Sequence, residues 1–223
     1  MPLLRTEPTG TGRARTDGGP VRPGTGVHGR GPSRALDVLL LVGGLVGLLA
    51  AAVLLVEKIA LLADPDYVPS CSINPVLSCG SVMVTPQADA FGFPNPILGV
   101  VGFTVVTTVG AALLAGAQFR GWFWAGLQAG VTAGVVFVHW LIAQSLYSIE
   151  ALCPYCMVVW AVTIPVFLYT TLHNAAAYLP PDGPPGRALA VVREYHGVVL
   201  TSWYLIIAAA ITVQFWSYWQ TVV

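Results

Sequence analysis

A run of nineteen residues from Val38 to Val56 contains no charged side chain. As a helix it rises about 28 Å, enough to cross the roughly 30 Å hydrocarbon core of a bilayer. It is the first of five such apolar stretches, at about 36–62, 96–117, 122–149, 153–178 and 197–218. Only 9% of the residues are charged, against about 25% in soluble domains. A mean hydropathy of +0.74 agrees. Inside hydrocarbon a chain must satisfy its backbone polar groups internally, which helices do. The expected fold class is therefore all-α and integral to the membrane, with five spans.

The joints between runs carry recognisable stop and start signals. Asp64-Pro65-Asp66 ends the first run. Asn95-Pro96 reads as an N-cap followed by proline at the first helical position. Residues 118–121 are a tight turn, Glu150-Ala151-Leu152 is a minimal connection, and 179–186 is a Pro/Gly loop before a short amphipathic lead-in from Arg187. Pro165 inside the fourth run should kink it. Glu57 and Lys58, one turn from the end of the first run, should snorkel to the interface and join Asp64 and Asp66 in an interfacial charge cluster. Asp64 and Asp66 are also candidates for contact with a partner.

Residues 1–34 are rich in Gly, Pro, Arg and Thr and cannot bury enough apolar surface to order themselves. The apolar run after them is too long for the core of a secretory signal. Six of the ten basic residues, Arg5 through Arg34, precede the first run. With that tail in the cytoplasm, Arg120, Arg187 and Arg193 also fall inside and only Lys58 lies outside. Nine of ten obey the positive-inside rule. The N-terminus is then cytoplasmic and the C-terminus extracytoplasmic. The diluted arginines lack the interleaved aromatic residues of a nucleic-acid surface.

This orientation brings all four cysteines to the outer face. Cys71 and Cys79 lie in the loop 63–94, and Cys153 and Cys156 open the fourth run. A loop of that length is uncommon unless functional, and should fold as a cap with a short helical piece around 82–91. Cysteines at i and i+3 of a helix share a face, so Cys153 and Cys156 can bridge. Free N–H groups at the helix start favour thiolate at Cys153. Cys153 should be the more exposed sulfur and Cys156 the one facing the hydrocarbon-level pocket. Cys71 and Cys79 can close a small disulfide loop. Two dithiol pairs on an oxidising face point to an exchange relay that ends on a lipid-soluble quinone. A four-cysteine zinc site fits the CxxC half, but seven intervening residues are wide and an oxidising face disfavours zinc thiolates. A structural disulfide with a spare CxxC, or a small carrier stapled by disulfides, remains as a further alternative.

Cys71-x7-Cys79, Thr85, Phe91-Gly92-Phe93-Pro94-Asn95-Pro96-Ile97-Leu98-Gly99 and Cys153-x2-Cys156 together resemble the bacterial vitamin K epoxide reductase homologues. The resemblance covers about Leu36 to Tyr178. It implies a four-helix transmembrane bundle, here with a fifth helix, and oxidation of a separate, exported thioredoxin-fold (DsbA-like) partner with electrons passed to quinone. In the roles it implies, Cys71 takes electrons from the partner, Cys79 relays them to Cys153, and Cys156 meets the quinone. Asn95 matches the residue that hydrogen-bonds a quinone carbonyl, and Thr85 a hydroxyl that supports the reactive sulfur. Trp160 stands where the animal enzymes have a quinone-facing tyrosine, so the resemblance carries no expectation of epoxide reduction or anticoagulant sensitivity. Many homologues carry a fused thioredoxin-like domain, and none is expected in this chain.

Plainer roles compete at several positions. Asn95 works as an N-cap, and Thr85 before Pro86 as turn chemistry. His139, near mid-bilayer, suits either a proton route or a bond to a neighbouring helix. Gln128 and Gln144 suit helix–helix hydrogen bonding. Tyr147 and Tyr155 suit packing.

Overall fold

A computed structural model describes residues 33–180 and 183–222. The segment expected to be disordered lies outside the described residues up to position 32. Arg34 already belongs to the first helix, which Ser33 caps: its hydroxyl accepts from the Leu36 N–H.

The helices in chain order are α1 (Arg34–Ala63), α2 (Cys79–Met83), α3 (Pro96–Leu114), α4 (Gly121–Gln144), α5 (Pro154–Tyr178), α6 (Pro184–Glu194), α7 (His196–Gln214) and α8 (Trp216–Val222). A 3-10 turn, Pro86–Asp89, follows α2, and a π-helical turn, Ser145–Ile149, extends α4. Among the described residues, five helical segments are long and apolar enough to cross a membrane. The molecule is a multi-pass membrane protein built as a helical bundle. Valines and leucines such as Val42, Leu49, Val101 and Val136 are exposed on its outside, as a lipid-facing surface requires.

The helices form an arc: α3 packs on α1, α1 on α5, and α5 on α4. Small residues let the first pair approach closely. A Cβ at Gly44 would sit 2.7 Å from the Thr107 backbone N, and one at Gly110 would collide with the Leu41 backbone. Such close approach is the usual basis of helix association in lipid. The arc does not close, because α3 and α4 make little direct contact. The open side between them becomes a cavity.

α5 runs unbroken through Pro165. Gln128 donates to Thr171 and accepts from Asn174, joining α4 to α5 as hydrogen-bonded glue. His139 takes the helix-bonding role: Trp203 Nε1 donates to its Nε2 at 2.9 Å, and its Nδ1 meets the Val135 carbonyl at 2.8 Å. This is a neutral ring with its proton on Nδ1, and it anchors α7. The fifth span is shorter than expected, because the chain turns at Phe215 between α7 and α8. The second also ends early, at Leu114, where Gly116 takes a positive φ of 90°.

Gly110→Leu should be among the most disruptive single changes outside the cysteines. Its side chain would meet backbone rather than a movable side chain, so overpacking of about 1–3 kcal/mol or more is expected. Thermal unfolding in detergent should show a clearly lowered midpoint, while Gly102→Leu, whose Cβ position is open, should leave it nearly unchanged.

Candidate active site

The loop after α1 folds as a cap over one end of the bundle, and charged residues of α1 hold it down. Glu57 accepts from the Tyr67 hydroxyl at 2.8 Å and from Ser70. Lys58 donates to the Met83 carbonyl at 2.7 Å and to Asp89 at 2.9 Å. Both side chains are buried. The expectation that they snorkel to water is therefore corrected: their partners lie in the cap, where a buried charge needs them. Lys58 also supplies a cation to the last carbonyl of α2.

Asn95 is corrected as well. It occupies the position before α3 but makes no capping bond. Its side chain donates to the Gln87 carbonyl at 2.7 Å and accepts from the Ala90 N–H, closing the end of the cap. The Thr85 hydroxyl donates to the Val82 carbonyl at 2.7 Å, a local turn bond. The expected stretch holds the 3-10 turn Pro86–Asp89, and a further short helix, α2, precedes it, starting at Cys79 and capped by Ser78.

The cap and the start of α5 are joined by backbone. Leu152 donates to the Val76 carbonyl at 2.7 Å, and Ser78 donates to the Leu152 carbonyl at 2.9 Å, a parallel bridge pairing Leu77 with Leu152. Each bonded strand is followed at once by a cysteine. Cys79 Sγ lies 3.0 Å from Cys153 Sγ. Cys71 and Cys79 form a disulfide, while Cys153 and Cys156 are free thiols. Glu150, at φ 55°, turns the chain sharply so that Cys153 arrives beneath Cys79.

The order of exposure is the reverse of that expected at Cys153. Cys153 is 1% exposed and Cys79 fully buried, whereas Cys156 is partly open. The cap explains this, because Cys71, Cys79, Met83, Leu54 and Cys153 share one apolar cluster. A hydrogen bond from the Cys156 thiol, with backbone N–H groups of Cys156 and Tyr155, holds Cys153 below the ordinary thiol range despite its burial. The sulfurs of Cys71, Cys79 and Cys153 lie within 4.8 Å of one another. The disulfide occupies two of them, so this state offers no set of thiolates for zinc.

Beneath the sulfurs lies a cavity of about 520 Å³ between α3 and α4. Its upper end holds Lys58, Gln87, Asn95, Cys153 and Cys156, and its wall toward α5 includes Trp160. The rest is apolar. Trp160 is 4% exposed, and its indole N–H has no partner among the described residues. Thr85 is not among the lining residues. Lys58, which sequence reasoning placed at the interface, lines the cavity, and Asp89, which it did not place, is its ion-pair partner. An ionisable residue inside an apolar span was the signal for Lys58.

A helical membrane bundle that sets a disulfide against a free CxxC over an apolar cavity defines a membrane thiol–disulfide oxidoreductase. The chain matches the model of the Vitamin K epoxide reductase family over residues 38–171, more than half its length, and belongs to that family. No curated protein matches the chain. The family match ends inside α5, so α7 lies beyond it.

With Cys71→Ala and Cys156→Ala combined, the two remaining sulfurs should join under mild oxidation. Non-reducing peptide mapping should find a Cys79–Cys153 disulfide as the main species. A lowered thiol pKa favours thiolate, so exchange at Cys153 should persist as pH falls below the ordinary thiol value. In Cys156→Ala, which removes the largest cause, the pH midpoint of quenched-flow exchange should move upward.

Proposed function

We propose that the protein reoxidises an exported thioredoxin-fold partner of the DsbA type and passes the electrons to a membrane quinone, with its cysteine end extracytoplasmic. The observation that carries this is the 3.0 Å approach of Cys79 to Cys153 directly above the cavity. The basic residues, concentrated before α1, support the orientation.

The geometry supports the following order of cysteine chemistry. A partner thiolate attacks Cys71 Sγ, and a second partner thiol resolves that bond, leaving Cys71 and Cys79 reduced and the partner oxidised. Exposed Val68 and Ile73 flank Cys71 in the cap and suit a docking surface. The Cys79 thiolate attacks Cys153 Sγ of a Cys153–Cys156 disulfide, and Cys156 leaves as thiolate into the cavity. Cys71 then attacks Cys79 Sγ, which restores the cap disulfide and frees Cys153. The arrangement observed, with cap disulfide closed and CxxC reduced, is the product of these steps.

The cavity fits a quinone in size and chemistry. Ligand sites of this kind measure about 300–1,000 Å³ and are mostly apolar with a few convergent polar groups. The unpartnered Trp160 N–H is a donor awaiting an acceptor. Asn95 uses one amide N–H on Gln87 and keeps a second for a carbonyl oxygen. A bound quinone supplies an acceptor for two electrons and two protons. Cys156 reaches the cavity as the terminal thiolate and Cys153 closes the disulfide behind it. Thr85 supports the cap backbone beside Met83 rather than the acceptor. The metal-binding alternative predicts zinc held by reduced thiols, and the carrier alternative a polar path between spans.

Purified protein given a reduced DsbA-like partner and a short-chain quinone should consume the quinone, and Cys156→Ala should abolish turnover. Normal turnover in that variant would remove Cys156 from the terminal position. Trp160→Phe keeps the ring but deletes the donor. It should raise the quinone KM about three- to tenfold, the worth of one hydrogen bond.

A further inference from the structure

If the cavity holds the quinone, the exchange steps leave a proton deficit inside it. Each step forms one S–S bond, breaks another and moves a thiolate. None carries a proton, so those released by the partner stay at the surface of the cap. Closing the Cys153–Cys156 disulfide gives up two electrons. Converting quinone to quinol consumes those two electrons and two protons. Thiolate exchange delivers neither of them, so every proton used there, including the one on the Cys156 thiol that bonds Cys153, must enter the cavity by another route.

Among the described residues, three titratable side chains line the cavity: Cys153, Cys156 and Lys58. The cysteines are spent as electron donors. His139, the other candidate near mid-membrane, does not line it and has both ring nitrogens engaged. Lys58 remains. Its side chain is 6% exposed, and its ammonium has three donors. Two are taken, by the Met83 carbonyl at 2.7 Å and the Asp89 carboxylate at 2.9 Å. The third is left for a ligand. Asp89, at the end of the 3-10 turn, is 38% exposed and so touches both solvent and Lys58.

We propose that Lys58 is the general acid of the acceptor half-reaction and that Asp89 is its link to solvent. Lys58 gives a proton to the quinone oxygen and becomes a neutral amine. Asp89 takes a proton from water and passes it to that amine. A second passage supplies the second proton. The inference deepens the quinone reading and depends on it.

Lys58 also pins the cap, so the test must separate proton supply from latching. Lys58→Arg keeps the cation and its donors but cannot release a proton at ordinary pH. Asp89→Asn keeps an acceptor for Lys58 but cannot carry a proton. In lipid nanodiscs three quantities are measured: thiol transfer from a reduced DsbA-like protein without quinone, short-chain quinone binding by tryptophan quenching, and steady-state quinone reduction. Both variants keep a polar partner across the Lys58–Asp89 pair, so any loss of thiol transfer or of binding should be several-fold smaller than the loss of reduction. Reduction should fall about a hundredfold in Lys58→Arg and about tenfold in Asp89→Asn, the range of general acid catalysis and below. Added acetic acid should restore the Asp89→Asn rate. Reduction within about threefold of the parent in Lys58→Arg overturns the proposal. So does loss of thiol transfer in step with reduction, which would make Lys58 a latch only. If the parent neither binds nor reduces quinone, the acceptor-site reading itself fails, and that result is separate from either of these.

Discussion

Two backbone hydrogen bonds, between Leu152 and the Val76–Ser78 segment, set the geometry on which the site depends. They join a cap loop to the entrance of a membrane helix, and the next residue on each side is a cysteine. Sequence separation between Cys79 and Cys153 is large, and loop closure over that distance costs entropy. The bridge meets that cost with backbone groups that would otherwise be unpaired beneath the cap. Glu57, Lys58 and Asn95 hold the remainder of the loop to the same frame. The result is two sulfurs in contact, rather than two sulfurs merely on the same side of a membrane.

The cavity follows from a different constraint. α3 packs closely on α1, through Gly44 and Gly110, and makes little contact with α4, which leaves a gap. The gap is lined by apolar side chains because its neighbour is lipid. Most of its polar groups gather at the end under the cap, where Lys58, Asn95 and Cys156 converge. Electron donor and polar handles therefore share one end of an otherwise greasy space. Trp160 belongs both to this lining and to the packed cluster with Leu152 and Phe215, so the chain beyond α7 supports the cavity wall from behind.

Much of the fold was legible in the sequence. The uncharged run from Val38 to Val56 leaves a chain few options, and the capping and proline signals placed most helix starts within a residue or two. The four cysteines announced redox chemistry through their spacing. What stayed hidden was tertiary. Cys153 at a helix start looked exposed, because nothing local reveals that the cap covers it. Asn95-Pro96 looked like a cap for α3, yet its amide turns back to Gln87. Glu57 and Lys58 looked interfacial because snorkelling is the default for a charge near a span end. Their partners, Tyr67, Ser70, Met83 and Asp89, lie ten to thirty-one residues away. No periodicity links residues at such distances.

The central claim is an ordered internal transfer, from the cap pair to the CxxC. It is tested most directly by adding a reduced thioredoxin-fold protein to the fully oxidised membrane protein and quenching with acid at intervals, then counting free thiols at each cysteine by mass-tagged alkylation. Thiols at Cys71 and Cys79 should appear first and then decline as those at Cys153 and Cys156 rise. With Cys79→Ser, the inner pair should stay oxidised. Reduction of Cys153 and Cys156 at the parent rate in that variant would contradict the relay.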